Sequence, residues 1–216
     1  MARRSLLTGD GRRRLLDVPV EDGDVARHYT LSAEDLKWID ARHGPSNQLG
    51  AAVQVALLRY PGFGLRAGEA VPSPVLRFLA DQIHAPVTAF AEYARRNQTR
   101  LEHAGQLHQR LGLRPFASAD IRHAVESAVE AAWSTDKGGS IAEALMAGLR
   151  DRRMVLPSPD TLERVGLAGR ARARRRAAED LLARVSSEQL ANVEKLLVND
   201  LDLKMTPLAW RRDIPD

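Results

Sequence analysis

Apolar residues recur at three- and four-residue spacings along almost the whole chain, in segments separated by glycine, proline and capping residues. This spacing places apolar side chains on one face of an α-helix. Strands favour β-branched and aromatic residues in alternation, but aromatic residues make up only 5% of the chain and no convincing alternating run occurs. The pattern therefore predicts an all-α protein.

Capping residues divide the pattern into successive helices. Ser32 is placed to accept hydrogen bonds from the first turn of a helix that Gly44 ends. The next helix starts directly after Gly44 and continues to Pro61, and its segment 51–58 is too apolar for a surface position. We therefore expect that segment to be buried. The two helices and their tight turn have the outline of a helix-turn-helix.

A second long helix is predicted from Pro86 to Gly112, and a new helical unit starts after Pro115. We place a domain boundary between the two. The chain is accordingly predicted to contain two helical modules, 1–112 and 113–216, each with a DNA-binding role and with helix-turn-helix-like elements.

Arginine is clustered near the end of the second module. The chain has 28 arginines among its 32 basic residues, and five of them fall within 170–176. At about 100° per residue, five apolar residues of this helix form one stripe: Ala171, Ala178, Leu181, Leu182 and Val185. A GC-rich genome raises arginine content in general, but it does not explain this clustering.

The five arginines fall in two groups relative to that stripe. Arg172, Arg175 and Arg176 lie opposite it and are expected to face solvent. Arg170 and Arg174 fall on the stripe itself, at one end, so either the helix projects beyond the core there or these two guanidinium groups meet a partner. Guanidinium matches phosphate oxygens in a bidentate geometry, and charge neutralisation dominates binding to a DNA backbone. An acidic protein surface is the alternative partner.

A second candidate site lies in the stretch "ARRNQTR" (94–100). Arginine pairs with guanine in the major groove, and other polar side chains also reach base edges. Arg96, Thr99 and Arg100 span about 100° of the helix surface, and we expect them to turn outward and read bases. The alternative is an ordinary solvated helix face.

The sequence offers no recognisable catalytic site. No pair of its six histidines has the HxxxH spacing of a metal-binding helix, and no nucleophile elbow or phosphate-binding loop occurs. "GLAG" (166–169) is typical of close helix packing or of a helix kink rather than of a phosphate cradle. Acidic residues mostly lie at helix starts or beside arginines. We expect no enzyme activity, no cofactor and no metal, and a metal-dependent nuclease with scattered acidic ligands is the alternative.

The cellular location is predicted from what the sequence lacks. There is no cysteine for a disulfide, which fits a reducing compartment. No apolar run approaches the roughly 20 residues of a membrane span, and the basic start has no signal-peptide core. These features predict a cytoplasmic protein without a membrane partner.

Six stretches together resemble one family and occur in its order. They are "ARRSLLTGDGRRRLLDVP", "RHYTLSAEDL", "NQLGAAVQVALLRYPG", "RNQTRLEHAGQLHQRLGLRPF", "DRRMVLPSPDTLER" and "PLAWRR". They are similar to the N-terminal region of the large replicative transposases of the Tn-three (class II, cointegrate-forming) family. The resemblance spans nearly the whole chain, so it is far more specific than any single motif.

The resemblance implies a function and a partner. In that family the N-terminal region recognises the terminal inverted repeats of the transposon through helical modules. The acidic metal-binding triad that cuts and joins DNA lies further along, in a segment that is absent here. The resemblance thus implies a non-catalytic module that binds double-stranded DNA. The alternative is a helical protein-interaction region that contacts the catalytic part or a second protomer.

Overall fold

The computed structural model describes residues 5–198, 206, 207 and 209. Within these residues the chain is largely helical, and its extended segments form two isolated β-bridges, Phe63 with Leu156 and Arg114 with Met154. The predicted all-α fold is confirmed. The stretch "PLAWRR" lies mostly outside the described residues.

The described part of the chain contains eleven α-helices, numbered here in chain order. They are α1 (Gly9–Leu16), α2 (Asp22–Tyr29), α3 (Ala33–Asp40), α4 (Gly44–Arg59), α5 (Ser73–Gln82), α6 (Phe90–Arg95), α7 (Asn97–Leu111), α8 (Asp120–Ser134), α9 (Gly138–Asp151), α10 (Pro159–Arg184) and α11 (Ser187–Lys195). A short 3-10 helix, Val87–Ala89, directly precedes α6.

Local capping sets the helix ends that the sequence predicted. The Ser32 hydroxyl accepts the N–H of Asp35, and the Asp35 carboxylate accepts the N–H of Ser32 at 2.8 Å, which closes a capping box at the start of α3. At the other end of the first module, Gly112 ends α7 with a φ of 61°. That left-handed conformation is easy for glycine because it has no Cβ.

Helix α4 is the centre of the first core. Every residue from Leu49 to Leu58 is buried, as the apolar run predicted. At Gly50 the helix meets α6 so closely that an added Cβ would overlap the ring of Tyr93. The exposed and half-buried residues of α4 lie only at its two ends, within 44–48 and at Arg59. The α3–α4 pair therefore has the order of a helix-turn-helix, with a second helix that is buried along most of its length.

Two apolar clusters fill the interior. The first is built on α2 to α7, and the second on α1, α8, α9 and the first part of α10. Both borrow residues from across the predicted boundary at 112/113. Leu6, Leu7 and Phe63 pack in the second cluster, whereas Val155 packs in the first. Each cluster thus contains residues from both predicted modules.

The chain divides into two compact units between Arg172 and Ala173. The first unit contains both apolar clusters and therefore runs across the predicted boundary at 112/113. The second unit begins within α10 and includes α11. The DNA-binding roles of modules 1–112 and 113–216 stay predictions.

Candidate nucleic-acid interface

Helix α10 packs through its first half. Its buried residues recur at helical spacing, Leu162, Val165, Gly166 and Gly169. An added Cβ at Gly169 would overlap Ala128 of α8, and one at Gly166 would overlap the side chain of Leu6. The "GLAG" stretch is therefore a close-packing feature, as predicted.

The arginine run overlaps the end of the buried part of α10, since Ala173 within it is only 3% exposed. Arg172, Arg174, Arg175 and Arg176 are exposed, and Arg170 is half-buried. The outward position predicted for Arg172, Arg175 and Arg176 is confirmed.

Several of these exposed arginines already have partners within the protein. Arg172 pairs with Glu126 of α8 at 2.7 Å, and Arg174 and Arg176 also have interaction partners. A ligand at this surface would therefore compete with ion pairs that the folded protein already makes.

The apolar stripe next to the arginines is not covered. Leu181 is 64% exposed, Leu182 56% and Val185 37%. The two explanations for Arg170 and Arg174 both stay open. The surface at this end of α10 combines arginines with uncovered leucines.

The predicted helix from Pro86 to Gly112 is wrong in its middle. Arg96 has φ −89° and ψ 82°, which lie outside the helical region and separate α6 from α7. The 3-10 helix Val87–Ala89 also replaces the expected first turn. The residues of α7 that face the core are therefore not those that a single continuous helix would bury.

Arg100 lies inside the fold, which contradicts its predicted outward position. Only 9% of the residue is exposed. Its guanidinium donates to the backbone carbonyl of Leu65 at 2.8 Å and also bonds the side chain of Asn97. Its own carbonyl accepts from Gln54 at 2.9 Å. An Arg100 held in this way positions the loop after α4 and is not available to a base.

The other two predicted base-reading residues lie nearer the surface. Arg96 is exposed at the break between α6 and α7, where it pairs with Glu92. Thr99 is half-buried in the first turn of α7. Of the predicted trio, only these two have side chains that reach solvent.

A buried polar chain links α4, α6 and α7, and the sequence reading missed it. The Gln54 amide donates to the Tyr93 hydroxyl at 2.5 Å, and that hydroxyl lies 3.2 Å from Nδ1 of His103. Burial raises the pKa of Tyr93 to about 12. Burial also lowers the pKa of His103, and the charge of Arg42 lowers it further. The sequence feature that could have indicated this buried chain is Gln54, a polar residue within an apolar run.

A second missed cluster centres on Asp35, which is buried at the start of α3. Burial alone would raise its pKa, but hydrogen bonds from Ser32 and the guanidinium of Arg59 outweigh that effect and lower the pKa. Arg110 approaches the same carboxylate at 3.5 Å. Asp35 therefore stays charged and ties α3 to the ends of α4 and α7.

Within the described residues, no group of three or more histidine, cysteine, aspartate or glutamate side chains is arranged to hold a metal ion. Among those same residues, no helix is long and apolar enough to cross a membrane.

The family model described as "Domain of unknown function (DUF4158)" matches residues 6–169. The chain belongs to this DUF4158 family. The match covers both apolar clusters of the first unit and ends one residue before Arg170, so the arginine run begins directly after it.

Several curated relatives are transposases. The chain is 39% identical to "Transposase for transposon Tn21" of Escherichia coli, 38% to "Transposase for transposon Tn3926" of Escherichia coli and 36% to "Transposase for transposon Tn501" of Pseudomonas aeruginosa. Each comparison covers 100% of this chain but only 22% of the relative. The predicted resemblance to the N-terminal region of the Tn-three-family transposases is confirmed, and this DUF4158 chain spans about a fifth of their length.

Proposed function

We propose that this chain is the non-catalytic N-terminal region of a transposase and that it binds the terminal inverted repeats of its transposon as double-stranded DNA. The observation that carries the proposal is the alignment of the whole chain with about a fifth of several transposases. In this proposal the region serves the transposase by binding, either to DNA or to protein.

The exposed arginines of α10 support DNA over protein as the partner. Arg172, Arg174, Arg175 and Arg176 lie within little more than one turn of one helix and are exposed, and Arg170 is half-buried beside them. Such an array contacts phosphates, which position the protein without reading sequence. Base recognition then needs a different surface, and Arg96 with Thr99 at the α6–α7 break is our candidate. Arg100 is not part of it, because its guanidinium is bonded inside the fold.

The alternative function, a surface for the catalytic part or for another protomer, draws on a specific observation. The C-terminal half of α10 and α11 expose several large apolar side chains: Leu181, Leu182, Leu190 and Val193. Exposed apolar patches are typical of protein–protein contact sites.

A DNA-binding titration separates the two functions. Fluorescence anisotropy would be measured with a duplex that carries the terminal repeat of the parent element and with a scrambled duplex of equal length. We expect tighter binding to the repeat. Equal affinities would remove sequence recognition from this chain, and no binding to either duplex would favour the protein-contact alternative.

The non-catalytic assignment has its own test. The protein would be incubated with Mg²⁺ or Mn²⁺ and a supercoiled plasmid that carries the repeat. We expect no nicked product at any protein concentration, and metal-dependent nicking would instead support a nuclease.

A further inference from the structure

A cleft of about 460 Å³ lies between the C-terminal ends of α4 and α9. Three arginines line it: Arg59 ends α4, Arg150 lies in the last turn of α9, and Arg153 follows that helix. One acidic residue, Asp151, is also in the lining. The volume falls in the range of ligand sites, roughly 300–1,000 Å³. We call this feature the arginine cleft.

The arginines are not required to cap the two helices. Basic side chains near a helix C-terminus often bond its last carbonyl groups. Here the backbone already does so, because Gly62 donates to the carbonyl of Leu57 at 2.9 Å and Met154 donates to that of Leu149 at 3.0 Å. Capping of these two helices therefore does not explain the arginines of the cleft.

Two of the guanidinium groups are held by partners within the fold. Arg59 bonds the carboxylate of Asp35 and donates to the carbonyl of Thr30 at 3.3 Å, and Arg150 donates to the carbonyl of Pro61 at 2.8 Å. A guanidinium has five N–H donors, so each of these side chains is fixed in place with donors to spare. Asp35 shares its single negative charge with Arg110, and it therefore does not neutralise Arg59 in full.

Arg153 has a left-handed backbone conformation, which glycine adopts more easily than arginine. Its φ is +56°, in the left-handed region that a residue with a Cβ adopts at a cost and glycine adopts freely. The side chain is exposed, and among the described residues none forms an ion pair or hydrogen bond with its guanidinium. Residues held in such conformations cluster at functional sites. The fold would accept glycine here, yet the chain carries an arginine.

We propose that the arginine cleft binds a phosphate group of the DNA backbone. The inference rests on the proposed DNA-binding function and adds a contact site that the sequence reading did not contain. Phosphodiester oxygens match the fork of a guanidinium. A phosphate contact carries no sequence information, so this contact strengthens binding to every sequence equally.

The substitution Arg153→Gly separates this role from a role in folding, since it removes the guanidinium and relieves the left-handed backbone. The matched control is His84→Gly, because His84 has the same kind of backbone, with φ +53°, away from the cleft. Anisotropy titrations would use the terminal-repeat duplex and a random duplex over a series of salt concentrations. Thermal melting would be followed for both variants.

We expect Arg153→Gly to melt no lower than the wild type while it binds both duplexes about tenfold more weakly. Its plot of log K against log salt concentration should flatten by about one unit. His84→Gly should keep the wild-type affinity and salt dependence.

Four results would overturn the inference. Unchanged affinity and salt dependence for Arg153→Gly would remove the contact while leaving the proposed function intact, provided that the wild type still prefers the repeat. A wild type that binds neither duplex would overturn the contact and the proposed function together. Weaker binding of Arg153→Gly to a poly-aspartate peptide, with DNA binding unchanged, would assign the cleft to an acidic protein. Inorganic phosphate would also be titrated as a competitor, up to the ionic strength of the salt series. It should displace DNA no better than chloride of equal ionic strength. Stronger displacement by phosphate would assign the cleft to a free phosphate ion.

Discussion

The guanidinium of Arg100 donates a hydrogen bond of 2.8 Å to the backbone carbonyl of Leu65, which lies 35 residues earlier in the chain. This bond joins the first turn of α7 to the loop after α4. His103 and Leu107 lie on the same buried face of α7 as Arg100. The residue that resembles a base-reading arginine in the sequence is thus a structural cross-link.

Arg100→Ala should therefore destabilise the protein. Removing a buried, charged hydrogen-bond donor leaves the Leu65 carbonyl without its partner, and we expect a loss of about 2–3 kcal/mol in the free energy of unfolding. Urea denaturation followed by circular dichroism measures it. Leu101→Ala is the control, since Leu101 is 54% exposed and should change stability by less than about 0.5 kcal/mol. If Arg100→Ala kept full stability and lost only repeat binding, Arg100 would return to the interface.

Gly50→Ala tests the contact between α4 and α6. An added methyl group would overlap the fully buried ring of Tyr93, and overpacking of this kind costs about 1–3 kcal/mol. Gly105→Ala on α7 is the matched control, because nothing lies within 4 Å of its added Cβ. It should stabilise the protein by about 0.5–1 kcal/mol through helix propensity. Equal effects of the two variants in thermal melts would refute the close approach of α4 to Tyr93.

The lowered pKa of His103 predicts that the stability of the protein depends on pH. Burial and Arg42 lower its pKa in the folded state, whereas nearby Glu102 opposes the shift. Below the ordinary histidine pKa of about 6.5, the unfolded chain then binds a proton that the folded chain does not. Stability is therefore full above that pH and falls as the pH drops towards the folded-state pKa.

The substitution His103→Gln should reduce this loss, because glutamine does not titrate and can still face the hydroxyl of Tyr93. Denaturation midpoints at a series of pH values from about 7.5 to 5 would measure it. Part of the dependence should remain, since burial also lowers the pKa of His108. A variant with the same pH profile as the wild type would show that His103 does not titrate in this window.

The exposed arginines of α10 should contribute affinity without specificity. Replacing Arg172, Arg175 and Arg176 by alanine should weaken binding to repeat and random duplexes alike, and the salt dependence should flatten by roughly one unit per lost contact. Anisotropy at several salt concentrations measures both effects, and an unchanged slope would assign the run to solvent or to a protein partner.

Arg96→Ala tests base readout at the α6–α7 break. The variant should lose on the order of 1–3 kcal/mol of binding free energy on the cognate repeat and much less on random DNA. Thr99→Ala should show the same pattern with a smaller effect, because Thr99 is half-buried. Competition titrations with both duplexes measure the ratio. Equal losses on the two duplexes would make Arg96 a phosphate contact.

The sequence by itself determined the fold class and many helix ends. The capping box of Ser32, the left-handed Gly112 and the apolar segment 51–58 all act over a few neighbouring residues, so their effect can be predicted without the rest of the chain. The resemblance to transposases is likewise a property of the residues in order.

Only the tertiary structure decided which side chains face inward on α7 and which arginines share a surface. The break at Arg96 resets the direction of the helix, so that Arg100 faces the loop at Leu65 while Leu101 faces solvent. The arginine cleft joins Arg59 to Arg153, which are separated by 94 positions. Helical periodicity states which residues share a face, but the packing of distant segments selects the face that is buried.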